Sequence, residues 1–309
     1  MSEQIYVIGH KSPDLDSVAA AISYANLKNK LENSDLYIPA IPGEVNKETQ
    51  FILDKFKINK PSLLLDASAK KIIQVDHNEF SQAVSGIENA KIIEVLDHHK
   101  VVFNYSDPIS FLVKPWGSVC SIIAHEYFTN NVQIESEMAS LMLSAILVDT
   151  VITKSPTCTQ RDIEIIEKLA NIAKIEDWKV FGMEIFKVRS SVSELSDREI
   201  VKSDFKDFEL RLGKFGIGQV ETVNLVEFEN RQDGLLKELD RVRQESGYHS
   251  VILFITDIIK EGSLFLVSTS VTEKIEEALG AKLENNRVYI NGIISRKKQV
   301  APKFSEIFG

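Results

Sequence analysis

The sequence predicts an α/β protein: an N-terminal doubly wound, largely parallel sheet domain followed by a smaller C-terminal α/β domain. Two observations carry this expectation. Up to about Lys187, short apolar runs alternate with segments of helical period, the pattern of βαβ units. Then VRSSVSELS, residues 188–196, is serine-rich and has no sustained apolar period, so the domains are expected at 1–188 and 196–309, joined by a linker or hinge at 189–195.

In chain order, the strand candidates of the first domain are IYVIG, LYIPA, SLLLD, KIIQVD and KIIEVLD. Each is a short apolar run bounded by polar or turn residues. Helical periodicity predicts helices at 17–30, 47–56, 118–128, 136–147 and 160–173, with Asp16 or Ser17 as the cap of the first. In the second domain, ELRLG, IGQVETV, SVILFIT and LFLVST read as strands, and 235–245 and 272–279 as helices. The DG, GY and NG dipeptides are turn signals.

Composition narrows the functional classes. A formal charge of -9 supplies no basic field to hold nucleic acid, although a local basic pocket for a small anion is compatible with it. Two cysteines cannot form a disulfide framework, and no signal-peptide pattern or apolar run of about 20 residues is present, so a cytoplasmic protein without membrane role is expected.

The residues that suggest chemistry gather at strand ends, where open parallel sheets bind ligands. His10 follows IYVIG, Asp76 closes KIIQVD, and Asp97, His98 and His99 close KIIEVLDHH; Asp149 follows the apolar segment LMLSAILV. Asp14 and Asp16 are two apart in a loop, so their side chains can serve two adjacent ions while Leu15 faces the protein. Oxygen and imidazole donors without thiolate suit Mn²⁺, Co²⁺, Mg²⁺ or Zn²⁺, with Mn²⁺ the first choice. Two divalent cations would neutralise the carboxylates of Asp14, Asp16, Asp76 and Asp149, which would otherwise be strongly unfavourable to bury together. A lone strand-end Asp is more often a turn or cap residue, and Asp66 is read that way. His77, His125 and His249 are read as structural or surface residues, and Cys120 as core.

The segments GHKSPDLDS, VDHNE, EVLDHH, AILVDTVITKSPTCT, GQVETVNL and SRKKQ resemble the family II inorganic pyrophosphatases, within the phosphoesterase superfamily named for its Asp-His-His triplet. The resemblance spans nearly the whole chain. It implies a DHH-type metal-binding catalytic domain, a substrate-binding C-terminal domain, and hydrolysis of pyrophosphate by a hydroxide bridging two Mn²⁺ or Co²⁺, with Mg²⁺ arriving on the substrate. It further implies that His10, Asp14 and Asp76 hold one ion, that Asp16, Asp76, His98 and Asp149 hold the other, and that Asp76 bridges. His99 is implied as a substrate contact and proton donor, and Lys206, Arg296 and Lys297 as the basic residues that grip substrate. A homodimer is also implied. Asp97, beside a ligand histidine, is expected to fix imidazole orientation from behind the ligands.

Three rival activities remain open at this point. One is an exopolyphosphatase, another a phosphodiesterase acting on oligonucleotides or cyclic dinucleotides, and the third a non-catalytic metal-dependent phosphate- or nucleotide-binding protein. The nuclease-type relatives carry a late glycine-rich segment ending in histidine, whereas SRKKQ stands here in its place. Leu15, where many relatives have Thr, and the PWGSV stretch are departures that remove no ligand. The regulatory nucleotide-binding insert of some relatives is absent from the first domain.

Overall fold

The computed structural model describes residues 4–190, 192 and 195–309, apart from the side chains of Ser190 and Lys297. The expected linker at 189–195 falls partly on 191, 193 and 194, which lie outside the described residues. The chain divides into two compact units, Met1–Arg189 and Ser190–Gly309.

The first unit is built on strands β1 (Ile5–Ile8), β2 (Tyr37–Ile41), β3 (Ser62–Leu63), β4 (Lys71–Val75), β5 (Lys91–Asp97) and β6 (Ser110–Val113), with helices α1 (Leu15–Glu32), α2 (Lys47–Lys55), α3 (Val119–Thr129), α4 (Ser136–Asp149), α5 (Gln160–Ala173) and α6 (Trp178–Ser190). The strands form one parallel sheet in the order β3-β2-β1-β4-β5-β6. α1 packs on α3 and α4 and is buried on nearly every side from Leu15 to Ala25, as a helix apolar all round must be. Another core joins Ile8, Ile72, Ile92 and Val95 to Val84 and Ile87, with Phe80, Phe103 and Tyr105 partly buried against it.

Several expected elements shift. α1 begins two residues earlier than its periodicity suggests, and its cap is Asp14, not Asp16 or Ser17: the Asp14 carboxylate accepts from Ser17 N–H at 2.9 Å. β6 and α6 are additional. SFLV is four residues long between Pro108 and Pro115, too short to show alternation. Gly182 weakens the helical signal of α6, yet a Cβ there would lie 2.9 Å from Ile152 Cγ1, so the glycine admits a neighbouring side chain.

The second, smaller unit comprises β7 (Lys206–Leu210), β8 (Gly213–Thr222), β9 (Ser250–Asp257), β10 (Gly262–Thr269) and β11 (Arg287–Asn291), with helices α7 (Asp197–Val201), α8 (Val226–Glu229), α9 (Gln232–Glu245), α10 (Thr272–Leu279) and α11 (Ala301–Phe308). Its sheet runs β11-β10-β9-β8-β7, with β8 and β9 parallel and the other pairs antiparallel. Every residue of β9 is buried. Successive side chains point to opposite faces, so Val251, Leu253 and Ile255 join a core with α9, while Ile252 and Phe254 join one with α10 and α11. No helix of the described residues is long and apolar enough to cross a membrane.

Phe254 is fully buried and stacks on Phe265 with ring centroids 5.4 Å apart. Phe254→Ala is therefore expected to destabilise the second unit by about 3–5 kcal/mol, measured by denaturant unfolding.

Candidate metal centre

The strand order reverses between β1 and β4, which leave their neighbours in opposite directions; such a switch point opens a crevice beyond the strand ends. His10 leaves β1 there, and Asp76 leaves β4 in the left-handed region, at φ 62°. The Asp76 N–H donates to the Leu96 carbonyl of β5 at 3.0 Å, so its backbone is tied to the strand that delivers the Asp-His-His triplet.

Asp76 is 2% exposed, and its two oxygens face different partners. Oδ2 lies 3.4 Å from His10 Nε2, which is also 3.4 Å from Asp14 Oδ2; Oδ1 lies 3.3 Å from His98 Nε2. His98 Nε2 is in turn 3.8 Å from Asp149 Oδ2. The side chains thus fall into one cluster of His10, Asp14 and Asp76 and another of Asp16, His98 and Asp149, with Asp76 also grouped with His98 and His99. Asp14 and Asp16 enter different clusters, and Leu15 between them is fully buried.

Each donor is oriented from behind. Asp14 uses Oδ1 to cap α1 and leaves Oδ2 toward His10. Asp16 is fully buried at the start of α3, where Ser118 Oγ, Val119 N–H and Cys120 N–H donate to its carboxylate at 2.8, 2.7 and 3.1 Å. His98 Nδ1 donates to the Trp116 carbonyl at 3.0 Å, which turns Nε2 toward the acidic residues. Asp149 ends α4, followed by three consecutive β-branched residues, Val151, Ile152 and Thr153, at φ 50°, 51° and 67°.

The expectation for Asp97 needs adjustment. Its Oδ1 accepts from the backbone N–H groups of His98 and His99 and from His99 Nδ1 at 2.9 Å, while Asn78 Nδ2 donates to Oδ2. Asp97 therefore orients the His99 imidazole; the His98 ring is oriented by a main-chain carbonyl instead. His99 is half exposed and lines, with His10, Asp14, Asp76 and Asp149, a cavity of about 390 Å³.

Protonation follows from this crowding. Burial opposes charge on His10, but Asp14 and Asp76 outweigh it and raise its pKa to about 10. Burial likewise opposes charge on His98, and Asp76 and Asp16 raise it to about 9. Asp76 stays well below the usual carboxylate range despite burial, because the two imidazoles stabilise its charge. Burial and neighbouring carboxylates push Asp16 up and Asp149 well up. Protons are thus drawn into the cluster to offset its negative charge.

Divalent cations would meet the same demand, and the donors fit them. Among the described residues, the buried atoms Asp76 Oδ1 and His98 Nε2 have no hydrogen-bond partner. Ligands about 2.1 Å from one ion at right or tetrahedral angles stand about 3.0–3.4 Å apart, the spacing seen around both Asp76 oxygens.

In the second unit, Lys206 opens β7 and is exposed, paired in register with Ile217. The Ile217 carbonyl accepts from Arg296 at 3.2 Å, so the two cations stand at the same place on this sheet. Arg296 also donates to the Asp204 carbonyl and, at 2.7 Å, to its carboxylate. The backbone of Lys297 lies in the helical turn Arg296–Val300, but its side chain is outside the described residues.

Of the residues set aside, Asp66 accepts from Ser68 N–H, buried His77 is bonded to Gln74 and Val75 at the wall of the same cavity, and His249 stacks on Phe215. Asn78, Trp116 and Ser118 carry positioning duties that the sequence reading did not assign. VDHNE offers one signal, a buried amide two residues beyond a strand-end carboxylate; a main-chain carbonyl such as that of Trp116 leaves none.

Comparison with known proteins accords with this geometry. Residues 4–146 match the DHH family, N-terminal domain, and 183–307 match the DHHA2 domain. The manganese-dependent inorganic pyrophosphatase of Methanothrix thermoacetophila is 44% identical, covering 100% of this chain and 99% of its own, and that of Bacillus subtilis is 39% identical, covering 98% of both. A crystal structure from Methanococcus jannaschii, assigned to the family II inorganic pyrophosphatases, matches with TM-score 0.63 and 40% identity over 99% of both chains. An exopolyphosphatase-related protein from Bacteroides fragilis shares the fold, with TM-score 0.51 at 13% identity over 99% of this chain and 91% of its own. The class is therefore the DHH phosphoesterases. Within it, the chain belongs to the family of manganese-dependent, or family II, inorganic pyrophosphatases.

With the pKa values of His10 and His98 raised to about 10 and about 9, an ion held by these imidazoles would have to displace their protons. Apparent Mn²⁺ affinity is expected to rise with pH, by about tenfold per unit for each proton displaced, and to level off above those values. Calorimetric titrations at pH 6, 7 and 8 measure the slope.

Proposed function

We propose that the chain hydrolyses inorganic pyrophosphate to two phosphates with two Mn²⁺, or Co²⁺, per subunit. The observation that carries this reading is the Asp76 carboxylate, whose oxygens face two separate donor sets. His10, Asp14 and Asp76 would hold one ion; Asp16, Asp76, His98 and Asp149 would hold the other. When bound, such a pair supplies Lewis acidity, acidifying a water and withdrawing charge from phosphoryl oxygens.

The chain's own groups do the rest. Asp97 fixes His99 Nδ1, leaving Nε2–H for an oxygen of the departing phosphate, and the hydrogen bond from His99 to Asp97 keeps the imidazolium available by raising its pKa. Lys206, Arg296 and Lys297 bring positive charge to the substrate, and Mg²⁺ bound to pyrophosphate offsets the remainder. Arg296 offers a planar fork whose orientation Asp204 sets.

In this reading, 1–188 is the metal-binding catalytic domain, 196–309 the substrate-binding domain, and 189–195 a hinge. The separate matches to the DHH and DHHA2 domains support that division. Free thiols at Cys120 and Cys158 fit a cytoplasmic location. A homodimer is supported by β6, an edge strand carrying the exposed residues Ser110 and Phe111.

Phosphate release with Mn²⁺ from pyrophosphate, tripolyphosphate, ATP and a dinucleotide tests the assignment. Pyrophosphate should be turned over fastest, and rapid cleavage of dinucleotide with little of pyrophosphate would overturn the reading. Asp149→Ala should weaken Mn²⁺ binding by about 10–100-fold, and Asp97→Asn should lower kcat by a similar factor through His99. Lys206→Ala should raise KM for pyrophosphate while leaving Mn²⁺ affinity unchanged.

A further inference from the structure

One turn touches two members of one ligand cluster, His98 and Asp16, and packs against the residue that follows the third, Asp149. Trp116, Gly117 and Ser118 connect β6 to α3. The Trp116 carbonyl orients His98. Ser118 Oγ, with the two N–H groups after it, holds Asp16. Gly117 packs against the residue that follows Asp149: a Cβ built on it would lie 2.6 Å from Thr150 Cγ2. Among the described residues, no hydrogen bond runs from this turn to His10, Asp14 or Asp76.

The turn is pinned from a distance. Asp162, in the first turn of α5 and 45 residues along the chain from Gly117, is fully buried. Its Oδ2 accepts from Gly117 N–H at 2.9 Å, Thr159 N–H at 2.7 Å and Thr159 Oγ at 2.6 Å, and its Oδ1 has no partner among the described residues. A capping box requires only the exchange with Thr159. The extra bond to another segment ties the start of α5 to the turn, and burying a carboxylate for that purpose is costly unless the tie matters. An added Cβ on Gly117 would also approach Asp162 Oδ2 at 3.1 Å, so the close fit admits glycine alone without displacement.

We propose that Asp162 is a positioning residue for the ion site formed by Asp16, His98 and Asp149, acting through the Gly117 turn. It does not serve the His10 and Asp14 side. The proposal rests on the reading of two ion sites that share Asp76, and it adds that the second is held by a scaffold of its own.

Titration of the metal-free full-length chain with MnCl₂, read as the number of binding events and their affinities, tests this alongside metal-free thermal melting. The wild type should show two events, and Asp14→Ala and Asp149→Ala identify which is which. Asp162→Ala should weaken the Asp149-dependent event by about tenfold or more and change the other by no more than about twofold. Asp162→Asn, whose amide oxygen can accept the same three hydrogens, should retain both. Gly117→Ala, which displaces the turn while keeping the Asp162 and Thr159 side chains, should weaken the same event and carries the test if Asp162→Ala does not fold. Equal weakening of both events, or no change in either, in the folded variants would overturn the proposal. A single event in the wild type would instead overturn the two-site reading, before any variant is compared.

Discussion

One carboxylate between two imidazoles sets the terms for the rest of the first unit. The oxygens of Asp76 are fixed relative to one another, so placing one against His10 and the other against His98 demands that β1, β4 and β5 lie side by side with their carboxyl ends together. The parallel sheet and its reversal between β1 and β4 provide that adjacency. The left-handed backbone at Asp76 then turns its side chain across the strand ends. Without positive charge on both sides, a carboxylate 2% exposed would be too unfavourable to keep ionised. The imidazoles supply that charge as protons, and cations can replace them.

The second unit is organised around a different group, the Arg296 guanidinium. Its sheet is covered on both faces around a wholly buried β9, which gives β7 and β8 a rigid backing. On that backing, the Ile217 carbonyl and Asp204 hold the Arg296 guanidinium while Lys206 stands at the paired strand. The Arg296 side chain is only 11% exposed, so the fold itself already orders it.

What was legible in the sequence follows the kind of atom involved. The side chains that cluster at strand ends were legible because Asp and His are uncommon directly after apolar runs, and several such ends coincided. The halves of HKSPDLD were legible in the two-residue spacing, with Leu15 turned inward. The helix cap was misplaced because Asp14, Asp16 and Ser17 are all competent caps, and only the fold commits Asp16 to α3. β6 and α6 were missed where prolines and a glycine break the periodic signal. The partner of the His98 ring was also missed: a main-chain carbonyl is available at every residue, and only topology selects Trp116. The roles of Lys206 and Arg296 came from family likeness, since scattered basic residues have no period of their own.

The turn after Asp149 has a consequence for how this protein tolerates change. Three β-branched residues in a row at positive φ hold an arrangement that costs on the order of 1–3 kcal/mol each. Glycine would adopt it freely, so the segment is far from the local stability optimum. Selection for thermal robustness alone would relax it, at the expense of the rigidity with which α4 presents its last carboxylate. The placement of the Asp149 carboxylate and the stability of the local backbone are therefore coupled over these few residues, so that a change which relaxes one shifts the other.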